Sequence, residues 1–333
     1  MDTAKQMRDI RERVNGYKLS QVLITVESLG IFAALSSGAT NICELANRVG
    51  VSAERLAVLL NVLVAAGLLS RQGDTYGFSE GGSILNTNDA NCQNGYIRYA
   101  ANVRDRWLDL PKAVRDASAA KPNFNAITGA NPQVALSFAE AMDANAKPQA
   151  EFIAQRYDFQ DARILDVGAG AGTYSLTVGK KYPGSSGILM ELPSMANITE
   201  SFVQRASLRG RFQVVGRDYR DTFPNGGFSD VFVFAVVHQE PDANVLSLFR
   251  KAYDSLRAGG RLFVTSFFLD ESRTAPPFSV MFAAEMLVMV PTGKVYTHVE
   301  IHGLLEQAGF PRIDRVDDIP GPATLYIASV LKN

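Results

Sequence analysis

The sequence predicts an α/β fold, with a mostly parallel, doubly wound sheet in the C-terminal half and an α-rich domain before it. Three observations carry this expectation. From residue 162 onward, short apolar runs (RILDV, SGILM, FQVV, DVFVFAVV, RLFVTSFFL and TLYIASVL) alternate with helix-length segments, the pattern of strands joined by crossover helices. Upstream, apolar residues recur at helical spacing without that alternation. The 333 residues exceed what a single core ordinarily holds, so two domains are expected.

Composition narrows the function classes. Hydrophobic residues make up 47% and charged residues 20% of the chain, which is globular rather than disordered. A formal net charge of −1 offers no general attraction to nucleic acid or to anionic lipid. Cys43 and Cys92 are too few for a disulfide framework, and the absence of a Cys-x-x-Cys pair excludes a zinc ribbon. The opening MDTAKQMRDIRERV is charged and unlike a signal peptide, and no run reaches the roughly 18 apolar residues of a membrane span. The expectation is a cytoplasmic protein with neither a nucleic-acid nor a membrane partner.

Taken in order, residues 17–35 read as a helix closed by Gly38, and NICELANRVG as a short amphipathic helix ending at Gly50. Ser52 is placed to cap AERLAVLLNVLVAAGLL, a helix so apolar around its circumference that extensive burial is expected. SRQGDTYGFSE follows as a hairpin turning at Gly73-Asp74. Together these form a winged-helix module over residues 1–90. Between Val51 and Ala66 its only charged residues are Glu54 and Arg55, too few for a recognition helix, so dimerisation or a substrate lid is the expected role. Residues 91–150 read as a helical connector. Its Tyr99, Trp107, Leu110, Phe138 and Met142 are candidates for a substrate-pocket wall, although ordinary core packing explains each equally well. The last domain is expected to span 151–333.

The run Ile164-Leu165-Asp166-Val167-Gly168-Ala169-Gly170-Ala171-Gly172 sets a glycine turn between a strand and a helix. Such a turn lets backbone approach a ligand closely, beside the free N–H groups of a helix N-terminus. A dinucleotide fold uses similar glycines, so acidic residues at the other strand ends must discriminate. Glu191 ends the second strand, where a carboxylate can accept hydrogen bonds from two ribose hydroxyls. Asp218 and Tyr219 follow the third strand, where a carboxylate can take an adenine amino proton and a ring can stack on the base.

On these residues the chain resembles the class I S-adenosylmethionine (SAM)-dependent methyltransferases, specifically the small-molecule O-methyltransferase family with an N-terminal winged-helix dimerisation domain. LDVGAGAGTYS resembles the family's first motif, MELP its ribose-binding acidic step, and GRDYRDTFP its adenine segment. VVHQEPDANVLSLFRKAYDSLRAGGRLFV is similar to its catalytic-histidine stretch. The resemblance implies a Rossmann-like domain, SAM as cofactor bound by Asp166, Gly168, Gly170, Gly172, Glu191, Asp218 and Tyr219, a homodimer, secondary metabolism as the setting, and His238 as the catalytic residue, a general base for an acceptor hydroxyl.

The surroundings of His238 depart from the family pattern. The chain reads His238-Gln239-Glu240 where His-Asp-Trp is usual, and Ser266 and Val295 stand where plant-type members carry glutamates. An orienting carboxylate holds an imidazole in its working tautomer, so a simple base mechanism loses support. His298 and His302 begin a helix in the segment that closes over substrate in this family. His238, Gln239, Glu285 and His298 form a candidate ligand set for a divalent or ferric metal ion, with His298 and His302 as a solvated helical face the plainer alternative. Trp107, Phe138, Met142 and Glu285 are the candidate substrate contacts, and Glu285 can equally meet a cationic group. These departures resemble the α-keto-acid C-methyltransferases acting on phenylpyruvate or 2-ketoarginine, in which a chelated metal would stabilise an enolate. C-methylation at C3 of a 2-oxo acid is therefore the favoured expectation. O-methylation of an aromatic or polyketide hydroxyl with His238 as general base is the alternative, and a SAM-binding non-methylating enzyme or regulator a remote one.

Overall fold

The computed structural model describes residues 3–116, 129–290 and 292–331. Two compact units divide the chain, residues 1–102 and 103–333.

In the first unit, α1 (Thr3–Ser28) and α2 (Ile31–Leu35) take the place of the single helix expected over 17–35. Gly30, at φ 73°, breaks the run by a left-handed turn that an L side chain rarely adopts. The two-residue strand β1 (Thr40–Asn41) leads into α3 (Ile42–Val49), where the Asn41 side chain accepts the Cys43 N–H, and Gly50 ends the helix in the left-handed region. Ser52 caps α4 (Ala53–Ala65). β2 (Leu69–Gln72) and β3 (Thr75–Phe78) form the hairpin about Gly73-Asp74, and β1 adds to β3 in an antiparallel sheet of order β1-β3-β2. The core gathers Phe32, Leu35, Leu45, Leu56, Leu60, Leu63 and Tyr76. Helix α4 is less buried than its apolarity suggests: Leu56, Leu60 and Leu63 face inward, while Val58 stays 62% exposed within this unit.

Helix α5 (Asn94–Trp107) runs into the second unit, followed by α6 (Leu110–Arg115) and α7 (Pro132–Arg156). The sequence places a boundary near residue 150, but α7 continues unbroken through it and packs against the helix that follows the glycine turn. The remaining elements are β4 (Arg163–Val167), α8 (Thr173–Lys181), β5 (Ser186–Glu191), α9 (Ala196–Arg205), β6 (Phe212–Gly216), β7 (Phe228–Phe234), α10 (Asp242–Ser255), β8 (Leu256–Ser266), α11 (Pro277–Met289), α12 (His298–Gln307), β9 (Arg312–Val316) and β10 (Thr324–Ser329). The sheet has order β6-β5-β4-β7-β8-β10-β9, parallel from β6 to β8, with β10 and β9 antiparallel at one end.

Strand residues alternate between two cores. Leu165, Val167, Val231 and Val233 join Phe249 of α10 and Leu305 of α12 on one face. Ile164, Phe232 and Phe263 join Ile153 of α7, Leu176 of α8 and Val203 of α9 on the other. The strand order reverses between β4 and β7, which opens a crevice at the carboxyl ends of these strands, where ligands of doubly wound sheets bind.

Candidate active site

The glycine turn leaves β4 beside β5, with the N–H groups of Gly168 and Ala169 donating to the Met190 carbonyl at 2.9 and 3.1 Å. Gly168, Gly170 and Gly172 have φ of 66, 55 and 73°, so all three need the left-handed region. A Cβ on Gly172 would sit 2.4 Å from Leu189 Cδ2, whereas one on Gly170 would meet nothing within 4 Å. The turn is therefore packed from below at Gly172 and open at Gly170.

Glu191 braces this turn. Its carboxylate accepts the Gly170 N–H at 2.6 Å and the Leu192 N–H at 2.7 Å, and burial pushes its pKa up. Thr199 Oγ1 donates to the Gly170 carbonyl at 2.6 Å. Asp166, 3% exposed, accepts the Ser175 hydroxyl at 2.7 Å, and burial raises its pKa from 3.8 to about 7. An interaction that the sequence did not disclose ties α8 to α7: Thr173 Oγ1 donates to Asp143 Oδ1 at 2.8 Å, and Lys147 lies 3.2 Å from the same carboxylate.

Asp218, after β6, is held by Arg220, whose Nε lies 2.9 Å from Oδ1 and whose Nη2 lies 2.6 Å from Oδ2; this pairing lowers the carboxyl pKa. The Tyr219 ring packs against the sheet core, and its hydroxyl donates to Glu240 Oε1 at 2.7 Å. Glu240, in turn, accepts the Asn244 amide at 2.6 Å.

His238 stands in a single turn, Val237–Gln239, just beyond β7. It is 7% exposed, with Nδ1 3.3 Å from Ser266 Oγ on β8 and its ring edge-on to Phe282 of α11 at 4.8 Å. Burial alone lowers its pKa from 6.5 to about 4. Phe282 belongs to an aromatic cluster with Phe267 at 4.8 Å and Phe278 at 6.4 Å. The buried Arg106 of α5 steadies the far end of α11 by donating to the Val288 and Met289 carbonyls at 3.1 and 3.3 Å.

The candidate metal set does not assemble. Among the described residues no three His, Cys, Asp or Glu side chains come together as metal ligands. The reason is tertiary: His298 Nδ1 pairs with Tyr326 OH of β10 at 3.0 Å beside Phe268, His238 Nδ1 faces Ser266, and the Gln239 side chain turns back to the Ala235 carbonyl at 3.5 Å. His302 is an exposed partner of Glu306 at 3.5 Å. Glu285 is half-buried on α11. Trp107 is half-buried at the end of α5, and Leu110 opens α6. Phe138 packs with Met195, Ile198 and Phe202, and Met142 is half-buried one turn further along α7. Tyr99, in the first unit, lies 6.1 Å from Tyr96.

Comparison with known proteins agrees with this arrangement. The tetracenomycin polyketide synthesis 8-O-methyl transferase of Streptomyces glaucescens is 26% identical over 96% of this chain and 95% of its own length. The 3-hydroxy-5-methyl-1-naphthoate 3-O-methyltransferase of Streptomyces sahachiroi is 25% identical over 92% of this chain and 90% of its own. The human N-acetylserotonin methyltransferase structure in complex with SAM superimposes with a TM-score of 0.87, at 23% identity over 100% of this chain and 99% of that one. Residues 12–88 match the O-methyltransferase dimerisation domain and residues 103–311, more than half of the chain, the O-methyltransferase domain. The chain is a member of the class I SAM-dependent O-methyltransferase family with an N-terminal dimerisation domain.

Proposed function

We propose that the protein transfers the SAM methyl group to a hydroxyl of a small aromatic or polyketide-type molecule. The observation that carries this reading is the buried His238 at the end of β7, beside the strand-order reversal and edge-on to Phe282, whose ring clusters with Phe267 and Phe278, a setting suited to a flat acceptor. SAM, when bound, supplies an electrophilic methyl on a sulfonium sulfur. The chain's residues fit it: Gly170 leaves the turn open to a ligand, and the Glu191 carboxylate has lone pairs beyond its two backbone bonds. Asp218 stands at the next strand end for the adenine side. Methylation at C3 of a 2-oxo acid, favoured from the His238 neighbourhood, gives way to this reading. The relatives named above are O-methyltransferases, and the histidines on which an enolate-stabilising metal would depend are engaged elsewhere.

We also infer a homodimer. The first unit matches a dimerisation domain, and α1 exposes Met7, Ile10, Val14 and Tyr17 at helical spacing along one stripe.

The test is incubation with SAM and a panel of phenols, hydroxyquinones and 2-oxo acids, followed by mass detection of a one-methyl gain. A gain on hydroxyl compounds is expected. A gain confined to 2-oxo acids refutes the reading.

A further inference from the structure

Ser266 stands where a carboxylate would direct the His238 imidazole, and the difference changes which ring nitrogen carries the hydrogen. The Ser266 hydroxyl is buried at 3% exposure, and His238 Nδ1 at 3.3 Å is its sole hydrogen-bond partner among the described residues. If Nδ1 carried the hydrogen, Ser266 would accept it and its own buried proton would have no acceptor, an arrangement that folding disfavours. With Ser266 donating to Nδ1, the buried hydroxyl proton has its acceptor and the imidazole hydrogen sits on Nε2, the nitrogen left for an incoming acceptor. A carboxylate, which only accepts, imposes the opposite tautomer and leaves Nε2 with the lone pair of a base.

We propose that His238 serves as a hydrogen-bond donor through Nε2–H to an acceptor oxygen that arrives already ionised. The acceptors are thus acidic hydroxyls: hydroxyquinones, other vinylogous acids, and phenols bearing electron-withdrawing groups. This deepens the O-methylation reading and rests on it; Ser266 acts as a positioning residue.

The surroundings support the assignment. Among the described residues, burial is the one cause of the lowered His238 pKa. With His238 near 4 and an ordinary phenol near 10, proton transfer to the imidazole would be disfavoured by about a millionfold. An ionised acceptor removes that step. Its oxygen forms the O–CH3 bond as the S–CH3 bond of the sulfonium breaks, the bonding pair staying on sulfur. The negative and positive charges cancel, giving a neutral ether and a neutral thioether, and the acceptor's proton has already gone to solvent.

The chain has 3 histidines, so nitrogen-15 histidine labelling reads His238 directly once His298→Gln and His302→Gln variants assign the other signals. The Nε2–H pattern, persisting from pH 8 to below pH 6, is expected, and Ser266→Ala should let the two tautomers mix. An Nδ1–H tautomer, or a His238 protonated above pH 6, overturns the proposal. Turnover supplies the second arm, with 2-hydroxy-1,4-naphthoquinone as the acidic probe and 1-naphthol as the ordinary phenol. At pH 7 the acidic probe should show a kcat/KM about a hundredfold or more higher, in line with the roughly thousandfold smaller ionised fraction of a phenol. His238→Gln, which keeps an N–H donor but no base, should stay within about tenfold of the parent, while His238→Ala loses about 100- to 1,000-fold. Equal turnover of the two probes, or His238→Gln as inactive as His238→Ala, overturns the proposal. Turnover of neither probe counts against O-methylation of aromatic hydroxyls, and the nitrogen spectra then still decide where the proton lies.

Discussion

Substituting the glycines of the turn one at a time should separate what holds the turn together from what keeps it open. Gly172 and Gly170 share the left-handed backbone, at φ 73 and 55°, so alanine at either carries a strain of about 1–2 kcal/mol. Only Gly172 adds an overlap, because its new Cβ would lie 2.4 Å from Leu189 Cδ2. Leu189 is fully buried on β5, so its side chain must shift within the packed core and overpacking contributes about 1–3 kcal/mol more. Gly172→Ala should therefore cost about 2–5 kcal/mol of stability, and Gly170→Ala about 1–2 kcal/mol. The order reverses for ligand binding. The Gly170 Cβ would project into space free of protein atoms, beside the N–H that Glu191 holds, and should weaken SAM binding by at least tenfold, about 1.4 kcal/mol. Urea unfolding monitored by circular dichroism reads the first quantity, and isothermal titration with SAM the second. If Gly172→Ala costs no more stability than Gly170→Ala, the packing argument fails. Unchanged SAM affinity in Gly170→Ala sinks the argument that the open side of the turn is the ligand's side.

Two further substitutions probe buried charge. Burial raises Asp166 from 3.8 to about 7, so the folded state holds that proton more tightly than the unfolded chain does; the resulting stability is complete below about pH 3.8 and lost as pH rises through about 7. The parent should thus lose up to about 4 kcal/mol relative to Asp166→Asn between pH 4 and 8, and parallel pH profiles in denaturant unfolding would contradict this. Arg261 pairs with Asp230 at 2.6 Å, and Asp230 is 1% exposed, so Arg261→Met should cost about 3–5 kcal/mol at pH 8 by leaving a buried carboxylate without its paired cation. Burial raises the Asp230 pKa, so that deficit should shrink as pH falls and the carboxylate takes up a proton, and a deficit independent of pH would show that packing, not charge, was lost.

The legible parts of the fold were those with a local signature. All six apolar runs that signalled the sheet became strands; the clearest, β7, is buried on both faces and so is almost continuously apolar. β9 escaped notice: RIDRV is an edge strand whose Arg312, Asp314 and Arg315 carry charge, as edges that resist further pairing do, and it leaves no apolar run to read. α4 misled in the other direction, since uniform apolarity says nothing about which face the rest of its unit covers. At the site, glycines and strand-end carboxylates were legible because close backbone approach and acid placement are specified within a few residues of a strand end. The metal set was not, because ligand convergence depends on side chains brought together across the whole sheet.

The sequence by itself determined the family, the glycine turn with Glu191 and Asp218 at successive strand ends, and a histidine at the end of β7, since each follows from local periodicity and strand-end chemistry. Tertiary structure alone decided what those groups touch. It turned the Tyr219 hydroxyl to Glu240, drew His298 to Tyr326 and placed the Ser266 hydroxyl at His238 Nδ1. Contacts such as the last two arise from strand order and register between distant segments, and local sequence does not encode which hydrogen-bond partner a side chain meets across a sheet.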